Sequence, residues 1–197
     1  MVDSKRSGQY ERLYHQIKPL LQKSPNLVAG MATLVALLHG KLRHHSWTGF
    51  YFVAGKDELH IGPYQGPIAC QVLKGQGVCF ACATRGEAVV VPDVHAFPGH
   101  IACDPRSKSE IVLPLKKDGR VVAVLDIDSH MPAAFSEEDV EPLQRIIDLL
   151  LPLVVEDRRM DIEPLPIAPF FPEHGSDHGM EGHHKPIDIL KKERYTE

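Results

Sequence analysis

Cys103 sits in the run H-A-F-P-G-H-I-A-C-D-P-R-S-K-S-E-I, residues 95–111, with His100 and Asp104 beside it and Glu110 seven residues on. Pro92, Pro98, Gly99 and Pro105 argue against helix or central strand here, so the thiol is expected on a loop. A thiol so placed is a candidate nucleophile, because an imidazole favours the thiolate and a carboxylic acid supplies a proton. Three further cysteines stand at positions 70, 79 and 82. Cys79 and Cys82 have the C-x-x-C spacing of a redox or zinc motif. No second pair has that spacing, however, and His95 and His100 complete four zinc ligands only if the fold brings them close. No βαβ pattern surrounds the pair, which disfavours a thioredoxin-like reading. Asp126 and Asp128 share one face of a strand ending V-V-A-V-L-D-I-D. Two carboxylates side by side raise the proton affinity of one of them or attract a cation.

The elements that must position these groups follow from periodicity. Residues 8–23 repeat apolar side chains at helical spacing until Pro19. Residues 26–43 read as a long helix capped by Asn26, with Leu27, Met31, Leu34, Leu38 and Leu42 along one stripe. His44 and His45 are expected at its solvated end, since adjacent residues do not converge on one metal. Strands are expected over 46–54 and 58–62, the first placing Trp47, Gly49 and Tyr51 on one face. A third short strand or loop edge holds Cys70, a short helix carries Cys79 and Cys82, and 88–91 is a short strand. Residues 110–115 and 121–128 form a hairpin around Asp118-Gly119. A strict two-residue turn there sets Glu110 opposite Ile127, on the wrong face to join Asp126 and Asp128. A shared acid site therefore needs a three-residue loop with Gly119 left-handed, or a bulge near Pro114. Residues 136–159, opening with the S-E-E-D capping box, read as a closing helix bent at Pro142 and Pro152.

Composition sets the outer bounds. A chain of 197 residues, 43% hydrophobic and 24% charged, buries a core without disulfide staples. Its 22 Lys and Arg are scattered among 26 acids, for a net charge of −4, which gives no footprint for nucleic acid. The N-terminus lacks the apolar core of a signal peptide, and the longest apolar run, 149–155, is too short to span a membrane. A cytoplasmic protein is expected, with residues 1–160 as the catalytic domain and 161–197 as a Pro/His-rich C-terminal tail. The tail histidines, with Asp177, are read as solvated rather than as a metal site.

The order of elements implies an α+β fold. The motifs W-T-G-F-Y (47–51), G-P-Y-Q-G-P-I-A-C (62–70), G-Q-G-V-C (75–79), D-V-H-A-F-P-G-H-I-A-C-D (93–104), S-E-I-V-L-P-L (109–115) and V-L-D-I-D-S (124–129) closely resemble the free methionine-(R)-sulfoxide reductases, stand-alone GAF domains. The resemblance covers roughly residues 10–155. It implies a GAF-like central antiparallel β-sheet flanked by helices, and reduction of free methionine-(R)-sulfoxide through a sulfenic acid and an intramolecular disulfide. Carried over by motif, Cys103 is the nucleophile, Cys70 the resolving thiol and Cys79 an alternate or relay; the reverse assignment, with Cys79 as nucleophile, also exists in the family and stays open. Trp47 and Tyr51 form an aromatic wall, and Glu110, Asp126 and Asp128 hold the ammonium and polarise the sulfoxide. The resemblance implies no bound cofactor and no metal, with NADPH-linked thioredoxin as external reductant, and a homodimer is left open. Cys82 departs from the family pattern. The competing reading is a sensory GAF module that binds a small ligand without turnover.

Overall fold

The computed structural model describes residues 4–101 and 103–154. The expected 161–197 tail, and the last residues of the expected closing helix, lie outside that range. Two helices, α1 (Ser4–Leu21) and α2 (Leu27–Lys41), precede strands β1 (Trp47–Ala54), β2 (Glu58–Gln65) and β3 (Val72–Lys74). Then come α3 (Val78–Arg85), β4 (Val89–Val91), β5 (Ser109–Lys117), β6 (Arg120–Ser129) and α4 (Val140–Ile147). The strands form one antiparallel sheet in the order β3-β2-β1-β6-β5-β4. The expected α+β architecture is therefore present.

Strand alternation divides the sheet into two covered faces. Phe50, Ile111, Leu113, Leu115, Ala123, Leu125 and Ile127 face α1, α2 and α4, and pack with Ile17, Met31, Leu34, Leu38 and Leu143. Trp47, Tyr51, Val112 and Val124 face the other way, towards α3 and the loop before β5. The helices are tied down by polar contacts at their ends. Asn26 caps α2 by accepting a hydrogen bond from the Ala29 amide at 2.9 Å. Asp139, in the capping box with Ser136, also accepts from the Tyr10 hydroxyl at 2.9 Å and from Arg6 at 3.1 Å, which pins α1 to the start of α4.

The β5–β6 hairpin resolves the register question. Asp118 and Gly119, at φ 49° and 76°, make a two-residue left-handed turn, so the three-residue loop is not used. Lys117 pairs with Arg120 and Lys116 with Val121, but Leu115 pairs with Ala123, leaving Val122 as an extra residue. The bulge thus lies on β6, across from the residue next to Pro114. Its cause is legible in the apolar pattern: Ile111, Leu113 and Leu115 must share a face with Ala123, Leu125 and Ile127. An unbulged ladder would instead pair Ile111 with Asp126 and turn both aspartates into the helix-side core. With the bulge, Glu110 stands directly opposite Asp128.

Several expected boundaries move. β2 runs to Gln65 rather than ending at 62; Pro63 is tolerated because β3 pairs only with Glu58–His60 and the β1–β2 register shifts between Gly49 and Tyr51. Cys70 lies in the loop before β3. The closing helix breaks into a 3₁₀ turn at Glu137–Asp139, α4, and a 3₁₀ segment at Asp148–Leu153, since Pro152 cannot donate to the carbonyl four residues back. His45 is not solvated: its Nδ1 lies 3.2 Å from Thr48 Oγ1, and its ring packs on Phe135, because the chain turns back after Leu42 to enter β1. Burial lowers the pKa of His45 well below its ordinary value.

Candidate active site

The site occupies the face of the sheet away from α1 and α2. β1 contributes the aromatic wall. Trp47 and Tyr51, two strand periods apart on one face, stack with ring centroids 5.9 Å apart, and Tyr64 of β2 stacks on Trp47 at 5.5 Å. The Trp47 ring lies across Gly49, where any Cβ would collide with it and with the Cβ of Tyr64. Both aromatic groups also hold the neighbouring loop. Trp47 Nε1 donates to the Pro67 carbonyl at 3.1 Å, and the Tyr51 hydroxyl donates to the Cys70 carbonyl at 3.0 Å. The segment carrying Cys70 is thereby strapped to the wall, which satisfies the polar tips of two otherwise buried rings.

Cys70 forms a disulfide with Cys103 across 33 residues of sequence, with Cα atoms 5.7 Å apart. Both cysteines are half-buried. They border a cleft of about 570 Å³, open at its mouth, lined also by Trp47, Tyr51, Cys79, His100 and the three acids. The three cysteines, two aromatic residues and three acids assigned to the site from the sequence therefore meet in one place, whereas Cys82 and His95 do not line it. Ser107 and Ile68 are among the further lining residues and carried no signal in the sequence. Tyr64 adds a third ring to the wall; its position in a strand one turn from Trp47 was the available hint.

The floor of the cleft is acidic and dry. Glu110 and Asp126 are 5% and 7% exposed. Burial, then the charge of neighbouring acids, raises both pKa values well above the ordinary carboxylate range. Asp126 Oδ1 is buried and has no hydrogen-bond partner among the described residues. Asp128 is raised to about 6, again first by burial, while a hydrogen bond from Ser107 holds it lower. The arrangement therefore favours retention of protons on Glu110 and Asp126 beside an acid, Asp128, whose pKa is about 6.

Asp104, adjacent to Cys103, has a different job. Its carboxylate accepts from Arg106 Nε and Nη2, both at 3.0 Å, and lies 3.2 Å from His130 Nε2. The Arg106 hydrogen bond is the main reason its pKa falls below the usual range. It is an ionised loop brace and not a proton source for the thiol beside it. His100 lines the cleft with Nδ1 3.9 Å from Glu110 Oε2, and burial lowers its pKa.

Cys79, the second residue of α3, points to the same floor, and its thiol donates to Glu110 Oε1 at 4.0 Å. Burial, followed by Asp126 and Glu110, raises its pKa well above that of a free thiol. Donor atoms of Cys79, Glu110 and Asp126 lie within 4.8 Å of one another, a spacing that a metal ion tolerates and that shared protons also explain. Among the described residues, the group with metal-ligand spacing joins Cys79 to Glu110 and Asp126 and does not include Cys82, His95 or His100.

The GAF domain family model matches residues 30–151. A free methionine-R-sulfoxide reductase of Escherichia coli is 40% identical over 139 residues, covering 70% of this chain and 84% of that protein. GAF domain-containing protein A of Dictyostelium discoideum is 46% identical over 143 residues, covering 72% and 90%. Among solved structures, a free methionine-R-sulfoxide reductase from Neisseria meningitidis in complex with its substrate superposes with a TM-score of 0.72 at 39% identity, covering 76% of this chain and 90% of that one. No helix among the described residues is long and apolar enough to cross a membrane.

Proposed function

Because this chain belongs to the free methionine-R-sulfoxide reductases, oxidoreductases built on a GAF domain, we propose that it reduces free methionine-(R)-sulfoxide with Cys103 as nucleophile and Cys70 as resolving thiol. The observation that carries this reading is the contact of Cys70 and Cys103 at the mouth of a cleft with an aromatic wall and a floor of three acids. The substrate's methyl and thioether carbons lie against Trp47 and Tyr51, as a small apolar subsite requires. Its ammonium pairs with Asp128, which is charged above about pH 6. A sulfoxide within a peptide has no such ammonium, so the acid gives a physical reason to prefer the free amino acid.

Chemistry then divides between thiols and protonated acids. The Cys103 thiolate attacks the sulfoxide sulfur while Asp126 or Glu110, whose hold on a proton is strengthened by burial, protonates the oxygen. Methionine departs and the oxygen remains on Cys103 as a sulfenic acid. Cys70 attacks that sulfur, water leaves, and the disulfide closes. The strap from Tyr51 to the Cys70 carbonyl holds the resolving thiol within reach. A thioredoxin-type dithiol, kept reduced by NADPH, then restores both thiols; both sulfurs sit at the half-buried mouth where such a partner can reach them.

Single-turnover measurements on the pre-reduced chain test this assignment. Cys103→Ser is expected to release no methionine, since a hydroxyl is a far poorer nucleophile. Cys70→Ser is expected to release about one equivalent and leave a sulfenic acid on Cys103, located by dimedone labelling and peptide mapping. A label on Cys79, with full single turnover in Cys103→Ser, would reverse the assignment and make Cys79 the nucleophile.

A further inference from the structure

α3 carries two thiols that the reaction above leaves unused. Cys79 and Cys82 are both free and buried, and stand three residues apart on the same helix. We propose that they form a second, internal redox dithiol, which reduces the Cys70–Cys103 disulfide within the same chain. A fully reduced chain would then release two methionines before it needs an outside reductant. The inference rests on the reading that turnover closes the Cys70–Cys103 disulfide.

Four observations support it. Cys79 lines the same cleft as Cys103, and Cys70 and Cys103 pack against the apolar cluster that contains both Cys79 and Cys82. The helical spacing is nearly right: side chains three residues apart have Cβ atoms about 5–6 Å from each other, and a disulfide needs about 3.5–4.5 Å. α3 concedes that small shift at its first turn. Cys79 is the second helical residue, so its amide is among those with no intrahelical acceptor, and the preceding cap, Gly77 at φ 93°, makes no side-chain capping bond that would resist the movement. Glu110, which accepts the Cys79 hydrogen bond, supplies the base once it has given its proton to the sulfoxide oxygen in the preceding turnover. Finally, Cys82 is 0% exposed, so that neither a protein reductant nor an oxidant in solution reaches it directly, and Cys79 is its route to the cleft.

The exchange balances without any further reagent. Cys79 gives its proton to Glu110 and attacks the Cys103 sulfur; the Cys79–Cys103 bond forms, the Cys103–Cys70 bond breaks, and Cys70 leaves as a thiolate and is protonated. Cys82 then attacks the Cys79 sulfur, closing Cys79–Cys82 and expelling Cys103 as the thiolate that the next sulfoxide requires. Two electrons pass from the α3 pair to the cleft pair; the Cys79 proton restores the acid that protonated the sulfoxide oxygen, the Cys82 proton goes to Cys70, and Cys103 stays a thiolate. Sulfoxide consumes each restored Cys70/Cys103 dithiol, which draws the exchange forward.

The test uses the full chain, reduced, freed of reductant without air, and mixed with excess methionine-(R)-sulfoxide. Two methionines per chain are expected, the second more slowly than the first, and Cys82→Ala is expected to stop at one. The tryptic peptide Gly75–Arg85, which carries both α3 cysteines, is expected to end lighter by two hydrogens and closed to alkylation. This mass measurement on the unaltered chain stands even if the variant folds poorly. One methionine per chain, with both cysteines of that peptide alkylated, would overturn the internal dithiol and leave the Cys70–Cys103 reaction standing. Two methionines from Cys82→Ala would overturn it as well. Release of none would overturn the functional reading on which it rests.

Discussion

Replacing Asp128 with Asn is expected to stabilise the protein while impairing it. Asp128 faces Glu110 across the β5–β6 ladder and lies two residues from Asp126, so three acids share one patch of the sheet. Burial, the largest cause, moves its pKa from 3.8 to about 6. The folded chain therefore binds this proton more tightly than the unfolded chain does. The stabilising contribution is fully present below about pH 4 and is lost as pH rises through about 6. At about 1.4 kcal/mol per pH unit, that interval corresponds to about 3 kcal/mol above pH 6. Asn keeps the shape and can still accept the Ser107 hydrogen bond, yet it carries no charge to bury. For a domain of this size the gain corresponds to about 6–12 °C in melting temperature at pH 8. Thermal unfolding of the two proteins at pH 8 and at pH 4 isolates the effect, because changes common to both cancel in the difference. The gap should be wide at pH 8 and close towards pH 4, while KM for free methionine-(R)-sulfoxide rises at neutral pH through loss of the ammonium partner. A gap of equal size at both pH values, or a lower melting temperature for Asn at pH 8, would refute the argument.

Two further perturbations address the aromatic wall. Tyr51→Phe removes the hydrogen bond to the Cys70 carbonyl and is expected to cost about 1 kcal/mol in stability; rapid-quench thiol counting should show methionine release at the normal rate but slower closure of the disulfide. Gly49→Ala forces a methyl group to within 2.9 Å of Trp47 Cζ3 and closer still to other wall atoms. It is expected to destabilise by about 1–3 kcal/mol in denaturant titration and to raise KM by displacing the ring, with an unchanged KM excluding Trp47 from the substrate wall.

Much of the site is local and so could be read along the chain. A period of two sets Asp126 with Asp128 on one face of their strand and Trp47 with Tyr51 on one face of theirs, whatever surrounds them. The Asn26 cap, the Asp118-Gly119 turn and the loop chemistry around Cys103 are equally local, since each depends on a few neighbouring residues. Even the need for a register shift follows from parity, because Glu110 otherwise faces away from the aspartates. Which device supplies the shift does not follow: the extra residue is Val122 on β6, chosen by how two apolar faces align across a hairpin. Long-range packing likewise buries His45 against Phe135, where adjacent histidines at a helix end read as solvated. Most of the site's electrostatics belongs to the tertiary structure. Asp104 and Asp128 are the same residue type, but Arg106 and His130 hold one ionised while burial lets the other keep its proton to about pH 6. Sequence alone assigns their types and spacing; only the fold decides which charges are paired, which are dry, and that Cys70 meets Cys103 across 33 residues of chain.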